Sequence, residues 1–283
     1  MAEDPNKSSP IVLTVAGFDP SGGAGLIADL RTILQFGCRP VAAITSLTFQ
    51  NTESVFGAIH ESAQSVRAQI LPVIEECAMD AVKMGMLPTA EIVLEMARLI
   101  RDQKLPPPVI DPVMRSSSGF KLVEHNAIEA LRSELIPLAR LITPNVPEAE
   151  ALTGIIVEDE QGMRHAARKL SEMGARAVLI KGGHLNQKSE VGSQKLEERQ
   201  ASDILEDEGE VTVFRSEWID TVPVRGTGCM MSSAIASNLA RGNSLPESVR
   251  AAKLFVAGAI RYAPKLGPDP VTLELTEITK LEE

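Results

Sequence analysis

Five short segments carry the residue types from which a reaction could be assembled. The first is Arg225-Gly226-Thr227-Gly228-Cys229, leading into Met230-Met231-Ser232-Ser233. A Gly-x-Gly step that opens a helix leaves three or four backbone N–H groups without intrahelical partners, at the positive end of the helix dipole. Such a terminus is an anion site. Cys229 falls in that first turn, where the dipole and neighbouring Arg225 should lower the thiol's pKa and let a thiolate accept a proton from a substrate hydroxyl. The plainer alternative is a small cysteine buried against a sheet.

The other four segments are polar in a similar way. Asp19-Pro20-Ser21-Gly22-Gly23-Ala24-Gly25 has glycines that let a ligand approach the backbone. It matches neither GxGxxG nor GxxxxGK[ST], and can equally be a tight strand-to-helix turn. In Thr143-Pro144-Asn145-Val146-Pro147-Glu148, Asn145 and Glu148 form either an oxygen pair for Mg²⁺ through water or a helix cap with an acid in its first turn. Asp111, before Pro112-Val113-Met114, can face a metal or phosphate, or fix a turn. Lys181, before Gly182-Gly183-His184, is placed for a phosphate contact, while His184 alone reads as a loop histidine. His60, His125 and His165 receive no role. Met84 and Met86 flank Gly85 and can line a pocket.

Positioning these segments requires strands that end beside them. Ile11–Ala16 is β-branched and apolar throughout, as in a strand buried on both faces. Further strands are expected at 41–45, 81–84, 109–110, 140–143, 177–181 and 211–214. Helices are expected from the glycine-rich turn to about 36, and over 62–77 (kinked or divided at Pro72), 89–100, 124–135, 159–173, 227–241 and 246–262. The alternation predicts an α/β fold with a mostly parallel sheet and helices on both faces, its ligands bound at the carboxyl ends of the strands. One domain over 11–263 is expected, with tails at 1–10 and 264–283. Residues 184–210 are dense in charge and read as a solvated excursion between core strands.

Composition narrows the function. The 283 residues are 44% hydrophobic and 23% charged, an ordinary globular balance. A net charge of −10 repels phosphate backbones, and 3% aromatics leaves little for base stacking, so no nucleic-acid partner is expected. No apolar run reaches the ~18 residues of a membrane span. Met1–Lys7 has acids and no apolar stretch, so no secretory leader is expected. Cys38, Cys77 and Cys229 form neither a disulfide framework nor a metal motif, which fits a cytoplasmic protein.

Read together, AGFDPSGGAG, ITSLTFQNT, DAVKMGML, IDPVM, LITPNVPEAEAL, VLIKGGH and RGTGC follow one another at strand ends. Over about residues 11–262 the sequence resembles the hydroxymethylpyrimidine/phosphomethylpyrimidine kinases of thiamine biosynthesis, within the ribokinase-like superfamily. The resemblance implies a three-layer α/β/α fold, a homodimer, and ATP- and Mg²⁺-dependent phosphorylation of 4-amino-5-hydroxymethyl-2-methylpyrimidine and of its monophosphate. By motif, Asp29 and Gln50 would hydrogen-bond the aminopyrimidine, and Gly17, Ala24, Met86 and Val113 would line its pocket. Lys181 and Asn145 would meet ATP, to which Arg225, outside the family motif, is added as a phosphate contact; Asp111 and Glu148, with Asn145, would organise Mg²⁺. Gly226, Thr227 and Gly228 would form the anion hole, with Cys229 as base. Pyridoxal or pyridoxine kinase of the same branch is the nearest alternative; a non-catalytic pyrimidine- or nucleotide-binding regulator is a further one.

Three positions depart from the family pattern. Phe18 stands where serine is usual, Arg115-Ser116-Ser117-Ser118-Gly119 follows DPVM, and Val224-Arg225 replaces Thr-His before GTGC. Phe18 would reshape the pocket, and Arg115 or Arg225 would touch a substrate or ATP phosphate.

Overall fold

The structure is a computed structural model and describes residues 9–102, 104–116, 118–183, 200–219 and 224–261. The tails 1–8 and 262–283, His184 and residues 185–199 lie outside it. The chain runs β1 (Ile11–Phe18), α1 (Gly25–Gln35), β2 (Arg39–Gln50), β3 (Val55–His60), α2 (Ala63–Glu76), β4 (Ala81–Met84), α3 (Ala90–Arg101), β5 (Val109–Ile110) and α4 (His125–Ala130). It continues with β6 (Leu141–Ile142), α5 (Val146–Thr153), α6 (Glu160–Glu172), β7 (Ala177–Lys181), β8 (Gln200–Asp207), β9 (Glu210–Glu217), α7 (Thr227–Ala240) and α8 (Leu245–Arg261).

The sheet order is β3-β2-β1-β4-β5-β6-β7-β8-β9. Strands β2, β1, β4, β5, β6 and β7 run parallel, while β3, β8 and β9 pair antiparallel at the two flanks. Side-chain alternation builds two cores. Leu13, Val15, Val82, Met84, Ile110, Val178 and Ile180 face α2 to α6, whereas Val12, Ala81, Val109, Leu141, Ala177 and Leu179 face α1, α7 and α8. Full burial of each branched side chain is worth about 1.5–3 kcal/mol, which explains why the strands carry apolar residues on both faces. The expected three-layer α/β/α fold is therefore the one found.

The elements differ from expectation in three places. Helix α2 runs as one helix through Pro72, anchored by buried Val66 and Ile70. The predicted strand at 41–45 is part of the longer β2, which turns back into β3 as an antiparallel ribbon. Part of the charged stretch 184–210 is not a solvated excursion, because Gln200–Asp207 is the inner strand β8. Two of its acids, Asp203 and Glu206, are buried: Asp203 accepts from Lys253 Nζ at 2.5 Å and from the Gly182 amide at 3.0 Å, while the half-buried Asp207 pairs with Arg140 at 3.1 Å. Charge density did not mean exposure, since the neutralising cations come from α8 and the edge of β6.

Candidate active site

All the chemistry-bearing segments except the tip of the β2–β3 ribbon lie at the carboxyl ends of the parallel strands or at the start of α7. The loop after β1 folds on Asp19, whose Oδ1 accepts from the Ser21 amide at 2.8 Å and from its hydroxyl at 2.6 Å. Gly25 has φ +55, and a Cβ there would stand 2.4 Å from the Gly17 carbonyl oxygen; only glycine fits. Ala24 is the N-cap of α1.

Helix α7 starts at Gly226, a left-handed residue (φ 77) with no side-chain cap. The first helical bond joins the Met230 amide to the Gly226 carbonyl, so the amides of Thr227, Gly228 and Cys229 precede the intrahelical ladder. A Cβ at Gly226 would lie 2.1 Å from the Gly23 carbonyl oxygen, which brings the α7 start onto the loop after β1. A Cβ at Gly228 would lie 3.1 Å from Lys181 Nζ and 3.4 Å from Asp111 Oδ2. The bare backbone of α7, the ammonium at the end of β7 and the carboxylate after β5 thus converge on one point.

Lys181 Nζ is 2.8 Å from Asp111 Oδ1, and its amide donates to the Pro144 carbonyl at 2.9 Å. Thr143 Oγ1 also reaches Asp111 Oδ1, at 3.4 Å. Asn145 and Glu148 form a reciprocal capping box on α5: the Glu148 amide donates to Asn145 Oδ1 at 2.9 Å, and the Asn145 amide to Glu148 Oε2 at 2.8 Å. The capping reading of this pair is therefore correct, and Asn145 spends its side-chain oxygen on the cap. Burial pushes the Glu148 carboxyl up to about 7; Asp111 adds to the rise, while Lys181 and the amides of Asn145 and Met114 oppose it. Burial opposes the charge on Lys181 but is outweighed by Asp111 and Glu148, which hold its ammonium above the ordinary lysine value.

The residues fit a divalent cation that arrives with a nucleotide. The carboxylates of Asp111 and Glu148 are oxygen donors suited to Mg²⁺, which is usually held by one or two carboxylates plus substrate phosphates. Gly228 leaves open beside Asp111 the space that a side chain would fill. Among the described residues no group of three or more His, Cys, Asp or Glu could hold an ion.

At the other end of the site, Gly17 faces Met86: a Cβ at 17 would be 3.1 Å from the Met86 sulfur. Thr45 Oγ1 donates to the Met86 carbonyl at 2.7 Å. Val113 lies with Gly85 along a small apolar cavity of about 10 Å³. Gln50 ends β2, and its Oε1 accepts from Arg225 at 3.3 Å. Phe18 pairs with Leu47 of β2, and its carbonyl accepts from Thr48 Oγ1 at 2.8 Å.

Four expectations need correction or a new partner. Asp29 is not on the pocket wall: it is fully buried, and its carboxylate is saturated by Lys83 Nζ at 2.8 and 2.7 Å, Thr14 Oγ1 at 2.7 Å and Ser233 Oγ at 2.8 Å. No lone pair remains for a pyrimidine. The Cys229 thiol is not lowered. The residue keeps some accessible surface, but burial pushes the thiol up to about 12; Lys83 and the Gly25 amide oppose this, while Asp29 and Asp111 add to it. Arg225 donates to the Asn51 carbonyl at 2.6 Å and stands 3.7 Å from Asp19 Oδ2, a buried oxygen with no hydrogen-bond partner among the described residues. It ties the ribbon tip to the loop after β1 and makes no contact with Lys181 or Asn145 among the bonds described. Arg115 is spent locally on the Gly119 carbonyl at 3.3 Å.

Lys83 is the functional candidate that the sequence reading missed. Its signal was a lone lysine inside Ala81–Met84, a strand buried at every position; a cation there requires a buried anion.

The sequence model of the phosphomethylpyrimidine kinase family matches residues 19–273. The chain belongs to that family. It is 41% identical over 266 residues to the hydroxymethylpyrimidine/phosphomethylpyrimidine kinase of Streptomyces coelicolor, covering 94% of each chain. Among solved structures, a phosphomethylpyrimidine kinase from Clostridium difficile aligns with TM-score 0.75 and 37% identity, over 89% of this chain and all of that one. An ADP complex of Bacillus subtilis pyridoxal kinase aligns with TM-score 0.80 and 33% identity, over 95% of this chain and 99% of that one. The family is one of kinases.

Proposed function

We propose that the protein transfers the γ-phosphoryl group of ATP to the hydroxymethyl oxygen of 4-amino-5-hydroxymethyl-2-methylpyrimidine, and then to the phosphate of the product, for thiamine biosynthesis. The observation that carries this is the meeting of the uncapped α7 terminus with Lys181 and Asp111 at Gly228. Phosphoryl transfer needs positioning and positive charge more than covalent chemistry. The amides of Thr227, Gly228 and Cys229 supply donors where charge gathers on the transferring group, and Lys181 supplies a cation held by Asp111. Mg²⁺ bound by Asp111 and Glu148 would neutralise charge on the β- and γ-phosphates.

Gln50 orients the pyrimidine. Because its Oε1 accepts from Arg225, its amide NH₂ is left to donate to an acceptor such as a ring nitrogen. Gly17 and Met86 form the apolar wall. Cys229 is the base: as thiolate it takes the hydroxyl proton while the oxygen bonds to phosphorus and ADP leaves. With the thiol pushed up to about 12, only a small thiolate fraction is competent at neutral pH, so the rate climbs with pH.

Pyridoxal is the second substrate to test, since pyridoxal kinases align with TM-scores of 0.80 and 0.84. ADP release is measured with Mg-ATP and, separately, hydroxymethylpyrimidine, its monophosphate and pyridoxal. Turnover on a pyrimidine at least tenfold above pyridoxal supports the reading; turnover on pyridoxal alone replaces it with vitamin B6 salvage. The protein is taken to be a cytoplasmic homodimer. Three free cysteines support the compartment; the exposed face of the β2–β3 ribbon bearing Leu47, Phe49 and Ile59 supports the dimer.

A further inference from the structure

The mechanism above leaves one costly feature unused. Asp29 and Lys83 form an ion pair with 0% exposure of either side chain. Isolating two charges from water usually costs more than their attraction returns, so apolar residues of similar volume would often serve stability as well. The pair joins four elements: Asp29 on α1, Lys83 on β4, Thr14 on β1 and Ser233 on α7. Ser233 lies four residues after Cys229, on the same face of α7. Its hydroxyl donates to Asp29 Oδ1 at 2.8 Å, one turn on from the amides that precede the helical ladder.

We propose that the Asp29–Lys83 pair is a positioning device for phosphoryl transfer: Asp29 locks a permanent positive charge beside the first turn of α7, and its bond to Ser233 sets where that turn sits. This rests on the kinase reading of the site. The charged groups that act on Cys229 are Lys83 from β4, Asp29 from α1 and Asp111 after β5, and Lys181 at the end of β7 also feels its charge. Both lysines favour the Cys229 thiolate, and Lys83 is the cation with the largest effect on it. In the transfer step the substrate O–H bond breaks and its proton goes to the Cys229 sulfur. The oxygen forms a bond to the γ-phosphorus, the bond from that phosphorus to the β–γ bridging oxygen breaks, and ADP leaves. Lys83 keeps its proton throughout.

The test is the double variant Asp29→Asn/Lys83→Met, which removes both charges and leaves no unpaired ion. It should melt near the wild-type temperature, yet lose kcat by about a hundredfold, the scale of a lost oxyanion donor, with KM for ATP and pyrimidine changed less than about threefold. Alkylation of Cys229 at pH 9.5, followed by peptide mass spectrometry, should slow, because Lys83 favours the thiolate more than Asp29 opposes it. A folded double variant with kcat within about threefold of wild type and unchanged Cys229 alkylation overturns the proposal, leaving the pair purely structural. Should the double variant not fold, Ser233→Ala decides. It removes only the tie to α7 and should lower kcat by about tenfold at unchanged KM; unchanged kcat refutes the device. If wild type turns over none of the three substrates, the kinase reading has failed, and the alkylation comparison still reports on the charge beside Cys229.

Discussion

Gly228→Ala separates the phosphate cradle from the stability of the fold. Gly228 lies in the first turn of α7 and does not have a positive φ, so alanine is tolerated by the backbone. Replacing a helical glycine gains up to about 1 kcal/mol, a rise of about 2 °C in Tm for a chain of this size. The new methyl would stand 3.1 Å from Lys181 Nζ and 3.4 Å from Asp111 Oδ2. The first neighbour is the far end of a flexible side chain and can yield by a few tenths of an ångström, so little of that gain is lost. The methyl nevertheless fills the space where the phosphoryl group must meet the α7 amides. Losing one preorganised donor costs about 2.7–4 kcal/mol of transition-state stabilisation, or a factor of 10²–10³. ADP release with saturating Mg-ATP and a pyrimidine series should therefore show kcat/KM down by about that factor, while a thermal melt shows Tm unchanged or raised. A stable variant with kcat/KM within about threefold of wild type, under ~0.7 kcal/mol, would refute the claim that this terminus cradles phosphate. Gly226→Ala is a poor substitute: φ 77 and a Cβ 2.1 Å from the Gly23 carbonyl force the backbone to move, so fold and activity would fall together.

Four other outcomes follow from the same geometry. Burial holds the Glu148 carboxyl at about 7, against 4.5 ordinarily, so between those values the folded chain binds more protons than the unfolded one. This group's contribution is most favourable below about pH 4.5, declines as pH rises to about 7 and then levels; Glu148→Gln should flatten that part of a Tm-against-pH curve. With the Cys229 thiol at about 12, kcat should rise steadily from pH 7 to 9.5, and Cys229→Ala should abolish the rise; a flat wild-type profile would remove Cys229 as base. Arg225→Ala frees Gln50 and the ribbon tip, and should raise KM for the pyrimidine by about tenfold with kcat nearly unchanged; no change in KM would mean that the Gln50 amide needs no support. Ile59→Asp on the exposed ribbon face should convert a sedimenting dimer to monomer, and an unchanged sedimentation coefficient would place any dimer elsewhere.

The sequence exposed the site in unequal parts. Glycines at 25, 226 and 228 could be singled out because they cluster in Gly-rich steps beside helix starts, and Asp111, Lys181 and Glu148 because polar residues at the ends of apolar strands stand out. The ends of β2 and the antiparallel flanks were harder to see. Ribbon strands β3 and β9 are half exposed, so their hydrophobic period is weak, and β8 hides its acids against cations from distant elements.

What the sequence by itself determined is the layer architecture and which loops meet: strand hydrophobicity, glycine placement and helix caps are local properties, written in neighbouring residues. What only the tertiary structure decided is the state of the charges. Asp29 was assigned to a ligand and proves to be locked to Lys83, 54 positions away in the chain; the Cys229 thiol was expected low and is held high; Arg225 was aimed at phosphate and holds Gln50, 175 positions away. Each depends on burial and on partners brought together by folding, and the electrostatic energy of a group is set by those neighbours and by the water they exclude, which local sequence does not encode.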